Sequence, residues 1–114
     1  LTEAIGDVPM VGFLPGTCFD TGKLTRFGYV TLRAKSDNLL CRAGGGIAAH
    51  EFHHWDCTCP GDAFTAEKPT GRRWECAVSS GTLYAGYPHF HFYSNLDFLY
   101  SFYDACIKEK HRHD

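Results

Sequence analysis

Two stretches of this chain alternate apolar and polar residues, and a third, near the C-terminus, spaces apolar residues at helical intervals. That pattern limits the fold to strands followed by a helix. From Phe27 to Lys35, Val30, Leu32 and Ala34 alternate with Tyr29, Thr31 and Arg33, the period of a strand with one buried face. Arg72 to Ser79 alternates again, with Trp74, Cys76 and Val78 on one side. Val8 to Gly16 reads as a short buried strand, Met10-Val11-Gly12-Phe13-Leu14, stopped by Pro15-Gly16. Cys57 to Gly71 holds two prolines and two glycines and is expected to be a loop. Ser79-Ser80-Gly81 is a hairpin turn leading into Thr82 to Phe92.

Ser94, with Asp97 three residues on, predicts a capped helix. Leu96, Leu99, Phe102, Tyr103, Cys106 and Ile107 form one apolar stripe along it, expected to pack on a core. Lys108, Lys110 and His111 suit its C-terminal end electrostatically. The expectation is four or five partly antiparallel strands and one helix, a set that could close one edge of a larger α/β sheet.

The chain has 114 residues, 44% hydrophobic and 21% charged, which fits one globular domain rather than a disordered segment. A formal net charge of -2 gives no reason to expect nucleic acid or an anionic membrane as partner. No apolar run approaches the roughly 20 residues that span a bilayer. The first residues, Leu1-Thr2-Glu3-Ala4-Ile5-Gly6-Asp7, lack both a signal-peptide pattern and an initiator Met. They suggest that the chain begins inside a longer protein. Without a secretory signal, the six cysteines read as reduced thiols of a cytoplasmic protein; the alternative is a disulfide framework.

Three groups of residues could carry chemistry. His50-Glu51-Phe52-His53-His54 spells H-E-x-x-H, which needs a helix to bring both histidines to one metal. Three glycines before it and Trp55-Asp56-Cys57-Thr58-Cys59-Pro60 after it leave little room for a helix. On a strand, His50, Phe52 and His54 share one face and Ile47, Ala49, Glu51 and His53 the other. His50 and His54 would then stand about 13 Å apart, too far to share a metal. The second group, His53, His54, Cys57 and Cys59, has zinc-ligand chemistry, although Cys-x-Cys is tighter than the usual gap. It would make the chain a small zinc-binding module. The third is the histidine pair of Gly86-Tyr87-Pro88-His89-Phe90-His91-Phe92. A histidine at a strand end beside a helix start is well placed to deprotonate a thiol, but local sequence does not show which cysteine it would serve.

Four segments carry a resemblance. They are Pro9-Met10-Val11-Gly12-Phe13-Leu14-Pro15-Gly16, Arg26-Phe27-Gly28-Tyr29-Val30, His50-Glu51-Phe52-His53 and Gly86-Tyr87-Pro88-His89-Phe90-His91-Phe92-Tyr93-Ser94-Asn95. In this order they resemble the class I glutamine amidotransferase domain of cobyrinic acid a,c-diamide synthases, over about Leu1 to Lys110. The resemblance implies the C-terminal half of a flavodoxin-like α/β domain, so that residues 1-114 would be a partial amidotransferase domain. It makes Ile47 to His54 a strand. It implies glutamine and a corrin as substrates, with ATP and Mg2+ bound by a separate synthetase domain. It places His89 as the base that activates a nucleophilic cysteine.

The family's nucleophile stands in a Gly-x-Cys-Gly-Gly turn, and none of Cys18, Cys41, Cys57, Cys59, Cys76 or Cys106 has that setting. The chain is therefore expected to begin after the nucleophile and to be inactive alone. Where many class I enzymes place a glutamate two residues after the histidine, this chain has His91. Ala49 and His54 replace the glycine and tyrosine expected around Glu51. An exposed strand edge left by such a segment would invite pairing between chains.

Overall fold

The computed structural model describes residues 1–112. Eleven strands precede one helix: β1 (Ala4–Ile5), β2 (Val8–Pro9), β3 (Thr17–Asp20), β4 (Arg26–Ala34), β5 (Gly46–His53), β6 (Trp55–Cys57), β7 (Phe64–Glu67), β8 (Arg73–Cys76), β9 (Val78–Ser79), β10 (Tyr84–Ala85), β11 (His89–Phe90) and α1 (Leu96–Arg112). A single 3-10 turn at Phe92–Ser94 leads into α1. The expected α/β class, mostly strands with one C-terminal helix, holds and is in line with a segment of a flavodoxin-like domain. The central sheet has the order β11-β5-β4-β7-β8 and is antiparallel throughout. A smaller sheet has the order β2-β1-β3-β6, in which β1 and β3 run parallel.

The β4–β5 ladder is the longest, running from Arg26↔His53 to Arg33↔Gly46. Its alternation separates two faces. Val30, Leu32 and Ala34 on β4 and Ile47, Ala49 and Glu51 on β5 are buried. Phe27, Tyr29 and Phe52 point the other way and are exposed. The predicted strands over Phe27–Lys35 and Ile47–His54 are both present, the second ending at His53, so H-E-x-x-H lies on β5 up to His53 with His54 in the bend before β6.

The expected loop from Cys57 to Gly71 contains β7, whose Phe64 and Ala66 are wholly buried beside Leu32 in the centre of the sheet. Its alternation covers only four residues between two proline-glycine breaks, too short to outweigh those turn signals. The expected buried strand across Val8–Gly16 is also corrected. Only Val8–Pro9 is a strand, and Val11 and Phe13 are exposed. Backbone bonds from Met10, Gly12 and Leu14 to the carbonyls of Glu3, Thr2 and Leu1 hold this segment, so its order comes from hydrogen bonds rather than burial.

Arg72–Ser79 is interrupted at Ala77, which is buried with φ 68. That left-handed conformation is costly for a residue with a Cβ. It turns the chain from β8 into the β9–β10 hairpin, closed by the Ser80 N–H donating to the Leu83 carbonyl. The hairpin expected after Ser79-Ser80-Gly81 is present, but Thr82–Phe92 is split into β10 and β11 around Gly86 and Pro88. Gly86 lies so close to Ala77 that a Cβ there would meet the Ala77 methyl at 2.9 Å.

The buried face of the central sheet is covered by Leu40, Tyr84, Phe90, Phe92 and Phe98. Ring contacts Phe64–Phe90, Phe64–Phe98 and Phe90–Phe98 join sheet to helix. The helix cap is Asn95, not the predicted Ser94: Asn95 Oδ1 accepts the Asp97 N–H at 3.1 Å, and its Nδ2 donates to the Gly46 carbonyl. Ser94 instead accepts the Ala48 N–H and donates to the His91 carbonyl, continuing the β5 edge past β11.

The predicted apolar stripe does not pack on the core. Phe98 is the buried residue of α1, while Leu96, Leu99, Phe102, Tyr103 and Ile107 are exposed. The core reaches only the first turn, and the rest of the helix runs past the sheet, leaving an open gap of about 1040 Å³ lined by Leu39, Thr82, Phe102 and Cys106. Helical periodicity shows which face is apolar but not how far a partner surface extends. Phe64→Ala should therefore cost about 3–5 kcal/mol in urea unfolding, whereas Leu99→Ala should stay within about 0.5 kcal/mol. Equal losses would contradict this packing.

Candidate active site

The central sheet presents two arrangements of ionisable side chains, one on each face. On the open face His89 stands directly across from His50, which is itself across from Tyr29. The His50 ring meets Tyr29 at 5.1 Å and Phe27 at 5.9 Å, both edge-on. His89 is exposed at the sheet edge, on the strand just before the turn into α1. His91 is exposed too, its ring 6.4 Å from Tyr93. Its backbone is fixed by its N–H donating to the Ala48 carbonyl and by its own carbonyl accepting from Ser94 Oγ. Pro88 is buried and Phe90 packs on Tyr84 at 4.7 Å, so both neighbours of His89 are held.

The core-side arrangement is one the sequence reading left unresolved. Glu51 is 3% exposed. Its Oε1 lies 3.3 Å from His53 Nε2, and His53 Nδ1 lies 2.7 Å from the Trp55 carbonyl. A carbonyl only accepts, so Nδ1 carries a proton. The Oε1–Nε2 contact joins the other ring nitrogen to the Glu51 carboxyl group. His53 stacks on Tyr87 with centroids 4.1 Å apart and planes 10° apart, and Tyr87 Oη donates to Cys18 Sγ at 3.7 Å. Burial, and then this bond to Cys18, push the Tyr87 hydroxyl well above the ordinary phenol range.

Glu51 Oε2 is buried with no hydrogen-bond partner among the described residues. Glu51 lines a pocket of about 70 Å³ with Arg26, His53, Asp56, Trp74 and Tyr87, and its second oxygen would accept from a donor bound there. The signal that could have found this site was strand parity, which put Glu51 on the same face as Ile47 and Ala49.

The zinc-module alternative is not assembled. His54 is exposed on the open face against Phe52, while both nitrogens of His53 are engaged on the other. Among the described residues no group of three or more histidine, cysteine or acidic side chains is placed to hold a metal ion. No hydrogen bond joins His89 to a thiol among the described residues. Cys76 is in the core, where burial pushes its thiol up to about 12. Cys18 and Cys57 are on the small sheet, and Cys106 is on α1.

No protein-family model matches the chain, and no solved structure matches it either. Curated proteins do. The chain is 36% identical over 95 residues to the cobyrinate a,c-diamide synthase of Fusobacterium nucleatum, covering 79% of this chain and 20% of that protein. It is 34% identical over 104 residues to that of Clostridium acetobutylicum, covering 87% and 24%. It is 34% identical over 101 residues to that of Listeria monocytogenes, covering 84% and 22%.

Replacing Glu51 by Ala should cost about 1–3 kcal/mol in denaturant unfolding, because it strips the half-buried His53 ring of its partner. Glu51→Gln keeps a donor for His53 Nε2 and should lose less. If Glu51→Ala is as stable as the native chain, the pair is not buried as described. The chain spans about a fifth to a quarter of the length of these relatives, and as the counterpart of that segment it belongs to the cobyrinate a,c-diamide synthase family.

Proposed function

We propose that this chain is the histidine-bearing part of an ATP-dependent, glutamine-hydrolysing ligase that amidates the a and c carboxylates of cobyrinic acid in cobalamin biosynthesis. The observation that carries the reading is the 36% identity to a protein of that name over 79% of the chain. The placement of His89 supports it chemically: an exposed ring between a buried Pro88 and a Phe90 packed on Tyr84 can take a proton from a thiol presented to the open face.

In this reading a cysteine outside this chain loses its proton to His89 and attacks the side-chain amide carbon of glutamine. His89 then returns the proton to the departing nitrogen, which leaves as ammonia. Water hydrolyses the resulting thioester to glutamate. Ammonia attacks a corrin carboxylate activated as an acyl phosphate, and phosphate leaves. ATP with Mg2+ supplies that phosphoryl group from another domain. His91 takes a secondary part, orienting the edge of the site through its backbone bonds to Ala48 and Ser94. No helix of the described residues is long and apolar enough to cross a membrane; a cytoplasmic location is part of this proposal.

The chain alone is expected to release no glutamate from glutamine. In a full-length protein carrying this segment, His89→Ala should lower glutamate release by about 10²–10⁴-fold, with His91→Ala losing about tenfold or less. Full activity after His89→Ala, or His89-dependent release by this chain alone, would overturn the reading.

A further inference from the structure

The small sheet brings two thiols face to face. Cys18 on β3 is the direct cross-strand partner of Cys57 on β6. The Thr58 N–H donates to the Thr17 carbonyl and the Thr21 N–H to the His54 carbonyl. Those two bonds fix the ladder's parity and make Cys18↔Cys57 a non-hydrogen-bonded pair. Cα atoms in such pairs are about 4.5 Å apart, with side chains close, inside the roughly 4.4–6.8 Å range that a disulfide spans. Burial raises the Cys57 thiol above its ordinary range, the Cys59 amide opposes that, and the neighbouring Cys18 raises it further. Both thiols are partly exposed, and Cys59 beside them is exposed.

We infer that Cys18 and Cys57 are a reversible disulfide site, oxidised by thiol–disulfide exchange with a small-molecule disulfide. Cys57, once its proton is lost to solvent, attacks one sulfur of the small disulfide and forms a mixed disulfide, releasing one thiolate. Cys18, its proton lost to solvent, then attacks Cys57 Sγ, forming the Cys18–Cys57 bond and releasing the second thiolate. Two protein thiols are oxidised and one small disulfide is reduced to two thiols. Non-hydrogen-bonded pairs in general place their Cα atoms near the short end of the disulfide range, which favours a bond that is readily reduced again. Oxidation removes the Cys18 thiol to which Tyr87 Oη donates, so it acts one stacked ring away from the Glu51–His53 pair.

The test incubates the 114-residue chain with oxidised glutathione, blocks remaining thiols with iodoacetamide, and digests it without reduction for mass spectrometry. The expected result is two of the six thiols protected, with the peptide ending at Lys23 joined through Cys18 to Cys57 and released by dithiothreitol. Fragmentation between Cys57 and Cys59 assigns the sulfur. Cys18→Ser should abolish the link and Cys41→Ser should leave it. A Cys57–Cys59 bond, only glutathione adducts, or six alkylated thiols would overturn the inference, and the mapping of the native chain decides even if a variant fails to fold.

Discussion

The long antiparallel pairing of β4 with β5 is the constraint on which the rest depends. Each residue of Arg26–Arg33 has a fixed partner in Gly46–His53, and a slip by one would reverse every side chain between the faces. In the observed register Val30, Leu32, Ile47 and Ala49 line the core, and Tyr29 and His50 stand on the open face. β11 then joins β5 through His89↔His50, which commits His89 to the open face as well. Glu51 and His53 are committed to the other by the same count.

The polar contacts around β5 extend that order to the helix. The Ala48 carbonyl takes the His91 N–H, Ser94 Oγ takes the Ala48 N–H, and Asn95 reaches the Gly46 carbonyl while capping α1. These bonds set where β11 ends and where the helix begins. Beyond the first turn of α1 the apolar stripe is exposed, and its Phe102 and Cys106 line an open gap. Order at the site and exposure along the helix thus have one origin, the point at which β5 stops providing partners.

Much of this was legible in the residues. Alternation located β4 and the face of β5, and the glycine and serine run located the β9–β10 hairpin. The segment around His89 carried the family likeness that the curated relatives then supported over most of the chain. What escaped was decided by tertiary context. Four residues of β7 gave too short a period to outweigh flanking prolines and glycines. Asn95 displaced Ser94 as cap because the Gly46 carbonyl was within reach of its amide. The stacking of His53 on Tyr87 joins positions far apart in sequence, and no local pattern encodes it.

One register places His89 on the open face and His53 on the other, against Glu51 and Tyr87. Carbethoxylation of the native chain, followed by peptide mapping of each histidine, tests it directly. His89, His91 and His54 should react early and His53 late, with the order lost on unfolding. Reaction of His53 at the rate of His89 in the folded chain would contradict it.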